Sequence, residues 1–146
     1  MFEPPPHVRL REAHAHLPWH GRSLSLLKLD ACRSREECLH RIADEATFIP
    51  KGRWLLATGA RVQSWTDPRW PSLAEIDRTT GATPTCIMSF DHHAALANSA
   101  ALAASDVINI KPEGGVVCTD DHGPTGLLLE SAAYHLWNSA PEYRER

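Results

Sequence analysis

His14 and His16 stand one residue apart in the stretch R-E-A-H-A-H-L-P-W-H-G, residues 11–21. Successive side chains of a β-strand alternate between faces, so residues two apart project the same way. Two imidazoles on one face, just before Leu17 and the breaker Pro18, would sit at the tip of a strand. Neutral imidazole ligates zinc, copper, iron and nickel, so the pair suits a divalent metal. A lone His-x-His also occurs on ordinary surfaces, and its weight depends on what surrounds it. Nine histidines are many for 146 residues, and a second cluster, Asp91-His92-His93, follows the apolar run T-C-I-M-S-F. A metal or proton-transfer site explains such clustering. For the second cluster, the competing reading is a solvated cap in which Asp91 opens the alanine-rich segment behind it.

These residues need elements to position them. Val8 to Ala15 reads as a short strand carrying the histidine pair to its end, after a Pro-rich lead-in. Residues 24–30, L-S-L-L-K-L-D, form an apolar segment that packs and turns. Ser34 with Glu37 three positions later matches a capping box, and Cys38, Leu39, Ile42, Ala43 and Ala46 recur at helical spacing. This predicts a helix over 35–47, ended by Pro50 and Gly52. Trp54 to Thr58 reads as a buried strand, and residues 60–71, with Trp65 and Trp70, as a long irregular loop in which the tryptophans pack. Ser72, Glu75 and Gly81 delimit a short helix, Thr85 to Phe90 is the next buried strand, and Ala94 to Ser105 is predicted as an alanine-rich helix.

Strand and helix in alternation argue for an α/β fold of parallel βα units over residues 1–106. Functional residues of such folds gather at the C-terminal ends of strands, where both histidine clusters fall. After Val107 the texture changes. V-I-N-I, V-V-C-T and L-L-L-E are separated by Gly-rich turns, which predicts short strands in a β-hairpin excursion over 107–126. Residues 127–146 would return to the main layer, with Glu130, a short helix over 131–138 and a tail.

Composition narrows the classes. At 146 residues, 42% hydrophobic and 23% charged, the chain suits a single globular domain and not a disordered segment. A net charge of −3 without a basic stripe argues against nucleic-acid binding. The absence of an apolar run of about 18 residues argues against a membrane span. No signal-peptide pattern is visible, and Cys32, Cys38, Cys86 and Cys118 lack Cys-x-x-Cys spacing, so reduced thiols and a cytoplasmic location are expected.

Taken together, several stretches resemble amidohydrolase family 3, a branch of the metal-dependent amidohydrolase superfamily that includes N-substituted formamide deformylases. They are A-H-A-H-L, S-R-E-E-C-L-H-R-I-A, W-L-L-A-T-G, W-P-S-L-A-E-I-D-R, F-D-H-H-A-A-L-A-N-S-A-A-L, P-E-G-G-V-V and G-P-T-G-L-L-L-E-S-A, in that order from about residue 11. The resemblance implies a partial, distorted (β/α)8 TIM barrel with one or two divalent ions, usually Zn2+, at its mouth. It matches His14 and His16 to the first metal-ligand pair and makes Glu130 the candidate bridging carboxylate. His93 and Asp91 fall on the substrate side as catalytic candidates. For Glu130 the competing reading is a carboxylate stabilised at a helix N-terminus. The implied chemistry is metal-assisted hydrolysis of an amide or formamide C–N bond in a small molecule, the metal lowering the pKa of water from about 15.7 to about 7.

The chain departs from the family pattern in three places. Family members carry Gly at the position of His92, often Trp-Asp where Ala60-Arg61 stands, and a β-sandwich segment before the histidine pair. A complete barrel takes about 250 residues. A truncated hydrolase is therefore expected, impaired alone, its open strand edges inviting self-association or pairing with a C-terminal barrel fragment. The alternatives are a non-catalytic remnant that binds a metal or a partner, and a small α/β protein whose histidines are incidental.

Overall fold

The computed structural model of the chain describes residues 26–141. The predicted first strand, with His14 and His16, lies outside the described residues.

Six strands form one mixed sheet in the order β1-β2-β3-β4-β6-β5. β1 (Leu27–Lys28), β2 (Leu55–Ala60) and β3 (Thr85–Ser89) run parallel, as the βα reading requires. The crossover from β1 to β2 contains α1 (Arg35–Ala46), and the crossover from β2 to β3 contains α2 (Leu73–Thr80). Local chemistry sets both helix starts. Ser34 Oγ accepts the Glu37 N–H at 3.1 Å, while the Glu37 carboxylate accepts the N–H of Arg33, so the box predicted there closes one residue early. At α2 the box is complete: Ser72 Oγ accepts from Glu75 N, and the Glu75 carboxylate accepts from Ser72 N at 2.8 Å.

The second half of the sheet is antiparallel, and here two expectations are corrected. Ala94–Ala97 is not the start of a helix but strand β4, paired with β3 and with β6 (Gly123–Glu130). Alanine favours helix locally, but four residues are too few to nucleate one against a sheet slot that satisfies their backbone on both sides. The helix begins only at α3 (Ser99–Ser105), where Asn98 Oδ1 caps Ala101 N at 2.9 Å. V-I-N-I is not a strand either. Val107–Ile110 forms a single helical turn, α4, because Asp106 adopts φ 54° and its backbone carbonyl accepts from Asn109 and Ile110. β5 (Gly115–Asp120) pairs with β6 as a hairpin, and residues 127–129 of β6 join β4 in the same sheet. α5 (Ser131–Ser139) follows β6 directly.

Strand alternation divides the buried residues between two faces. Leu55, Ala57, Ile87 and Leu96 pack with Cys38 and Ile42 of α1 and Ile76 of α2. Cys86, Met88, Ala95, Ala97 and Leu128 pack with Leu102, Val107, Ala132, Leu136 and Trp137 of α3 to α5. The described part is thus a three-layer α/β arrangement with both sheet faces covered. Trp65 is buried and meets Trp70 edge-on at 6.4 Å, the packing role expected of the loop tryptophans. No two of the four cysteines form a disulfide. Burial pushes the Cys38 thiol up to about 12, as befits a packing thiol and not a reactive one.

A candidate active site at the strand ends

β1, β2 and β3 finish at the same edge of the sheet at which antiparallel β4 begins and β6 ends. That edge gathers Arg61, Phe90, Asp91, His93 and Glu130.

The turn between β3 and β4 is built by Asp91. Its Oδ1 accepts from Ser89 Oγ at 2.6 Å and from the His93 N–H at 3.1 Å, while Ser89 Oγ accepts from Ala94 N at 3.0 Å. The Ser89 hydroxyl first, then the His93 N–H and the nearby imidazole, hold the Asp91 carboxyl below the usual carboxylate range. Asp91 therefore shapes a hairpin turn instead of capping a helix. His92 occupies this turn at φ 65°, a backbone region that favours glycine.

His93 and Glu130, 37 residues apart in sequence, meet across β4 and β6. His93 Nδ1 lies 2.9 Å from Glu130 Oε2, and Glu130 N donates to the His93 carbonyl at 2.9 Å. The carboxylate raises the His93 pKa above its ordinary value, through the hydrogen bond first and the charge second. Both side chains stay more than half exposed. Glu130 precedes α5 but makes no side-chain cap bond, so its partner is the imidazole and not the helix terminus. Its backbone sits at φ 53°, ψ −127°, where an L-residue is strained. Strain of about 1–3 kcal/mol persists where surrounding structure enforces it, and it concentrates at functional sites. Two of the four non-glycine residues at positive φ among the described residues, His92 and Glu130, lie in this cluster.

No group of three His, Cys, Asp or Glu side chains able to hold a metal occurs among the described residues. The described residues alone do not make a metal centre, and His14 and His16 lie outside them. His40 and His122 are exposed, while half-buried His135 donates from Nε2 to the Ser105 carbonyl at 2.9 Å.

Sequence reasoning noted Ala60-Arg61 only as a departure. In the fold, the Arg61 guanidinium lies 4.4 Å from the centroid of the Phe90 ring. Each residue directly follows its apolar strand, which was the available signal.

Residues 10–146 match the family model described as the amidohydrolase family. The chain belongs to the amidohydrolase family. It is 30% identical over 133 residues to YtcJ of Bacillus subtilis, covering 89% of this chain and 25% of that protein. It is 34% identical over 121 residues to the N-substituted formamide deformylase of Arthrobacter pascens, covering 76% of this chain and 21% of that one. Among solved structures, it resembles an uncharacterized metal-dependent hydrolase from Pyrococcus horikoshii with a TM-score of 0.60 and 25% identity, covering 86% of this chain and 23% of the other. The chain thus spans about a quarter of the length of these relatives. No helix among the described residues is long and apolar enough to cross a membrane.

Proposed function

We propose that the chain contributes to a metal-dependent hydrolase acting on a non-peptide C–N bond of an amide or formamide. The observation that carries this reading is the His93–Glu130 pair, held on a strained backbone at the strand ends of an amidohydrolase-family fold.

Breaking a C–N bond requires a proton on the departing nitrogen, because an amide anion is a poor leaving group. His93 is suited to supply it. With Nδ1 held by Glu130, Nε2 is the imidazole nitrogen left to face substrate, and the raised pKa enlarges the protonated fraction near neutral pH. Glu130 keeps the ring oriented and offsets the charge of its protonated form. Asp91 acts as a positioning residue through the turn it closes.

His14 and His16 are the residues proposed to hold a divalent ion, zinc in the first instance, with Glu130 as a further carboxylate donor. Such an ion, when bound, polarises the scissile carbonyl and lowers the pKa of water. A closed (β/α)8 barrel keeps its helices on the outside, whereas the described sheet carries helices on both faces. Within this proposal His14 and His16 join the strand-end cluster to form the site.

The test is hydrolysis of N-formyl and N-acyl amines by the metal-loaded protein. Alongside it run His93→Asn and Glu130→Gln. Loss of about 10²-fold or more in kcat with His93→Asn, and a shifted pH profile with Glu130→Gln, is the expected result. Undiminished turnover in both variants would refute the assignment.

A further inference from the structure

Four neighbouring strand ends present Arg61, Phe90, His93 and Glu130 in the spatial order β2, β3, β4, β6. Arg61 and Phe90 are in contact there, and so are His93 and Glu130. Ala60 pairs with Ser89, so Arg61 and Phe90 are the next residues of two paired strands, and Phe90 N donates to the Ala60 carbonyl at 3.0 Å.

Phe90 is 42% exposed and serves as a shelf for the guanidinium. An aromatic face positions an arginine without neutralising it, leaving its N–H fork free to receive a carboxylate in two parallel bonds. Among the described residues no carboxylate pairs with this guanidinium. By contrast Arg35 is close to Glu36, Asp67 and Glu75, and Arg69 is bound to Asp67. In a chain with net charge −3, an arginine held on an aromatic ring with no acidic partner among the described residues is a cation kept available.

We infer that Arg61, seated on Phe90, is a specificity residue that binds an anionic group, a carboxylate, at the far end of the substrate. This deepens the hydrolase reading and rests on it, because the distance is counted from His93. Two strand spacings separate β2 from β4, roughly 10 Å. The favoured substrate is therefore an N-acylated or N-formylated amine whose carboxylate lies several bonds from the scissile C–N bond.

The test compares 6-formamidohexanoate with its neutral counterpart, 6-formamidohexanamide, in the metal-loaded protein and in Arg61→Gln and Arg61→Lys. The expected result is a kcat/KM preference for the anion of about tenfold, lying mainly in KM. The preference falls to about one in Arg61→Gln, is partly kept in Arg61→Lys and weakens with added salt. A ratio unchanged in Arg61→Gln overturns the inference. If neither compound is hydrolysed, the hydrolase reading fails, and calorimetric titration with 6-formamidohexanoate then decides the role of Arg61 separately. Weaker binding to Arg61→Gln than to the parent supports it, whereas equal binding, or none to the parent, refutes it.

Discussion

Glu130 accepts a hydrogen bond from the imidazole of His93 while its own backbone N–H donates to the His93 carbonyl, so the pair is clamped twice across β4 and β6. The His93 pKa is raised in the folded state, chiefly by this hydrogen bond. A raised folded value means a stabilising contribution that is complete below the unfolded pKa of about 6.5 and fades as pH rises through the folded one. Glu130→Gln removes the charge and should move the His93 titration down toward its ordinary value. Proton NMR of the imidazole Cε1–H against pH measures this, and an unmoved midpoint would mean that the pair does not persist in solution.

The backbone of Glu130 offers a separate test. At φ 53°, ψ −127° glycine is at ease and alanine is not. Glu130→Gly should be more stable than Glu130→Ala by at least about 1 kcal/mol, although glycine costs more chain entropy on folding. Urea denaturation of the two variants gives the sign directly.

Asn98 is fully buried and joins three elements, α2, β3 and α3. Its Oδ1 accepts from Thr85 N and Ala101 N at 2.9 Å, and its Nδ2 donates to Thr80 Oγ1 at 2.9 Å and to the Thr83 carbonyl at 2.8 Å. Asn98→Ala leaves buried donors and acceptors unmade and should cost about 3 kcal/mol. An equal midpoint and slope in urea would contradict this.

Gly126 lies at φ 88°, and an added Cβ would stand 2.6 Å from the Ala97 carbonyl oxygen. Backbone cannot swing aside as a side chain can. Gly126→Ala should therefore destabilise by at least about 2 kcal/mol, visible as a lower melting temperature.

The proposed metal role of His14 and His16 is open to direct measurement. Double replacement by alanine should lower the divalent metal retained by the purified protein, read by elemental analysis. Unchanged metal content would move the ligands elsewhere.

Local signals in the chain were sufficient for what depends on neighbours in sequence. Ser72 and Glu75 set a helix start through bonds three residues apart, Gly81 ended it, and the apolar run after Trp54 became β2. The motifs, read together, were also sufficient for the family. The tertiary structure alone decided that Ala94–Ala97 is a strand. Its residues carry no intrinsic preference for extended backbone, and the slot between β3 and β6 imposes it. It alone decided that Asp91 makes a turn, that His93 meets Glu130 from 37 positions away, and that Arg61 rests on Phe90. Such relations arise from strand register, which brings remote residues side by side while leaving no trace in the spacing of either one.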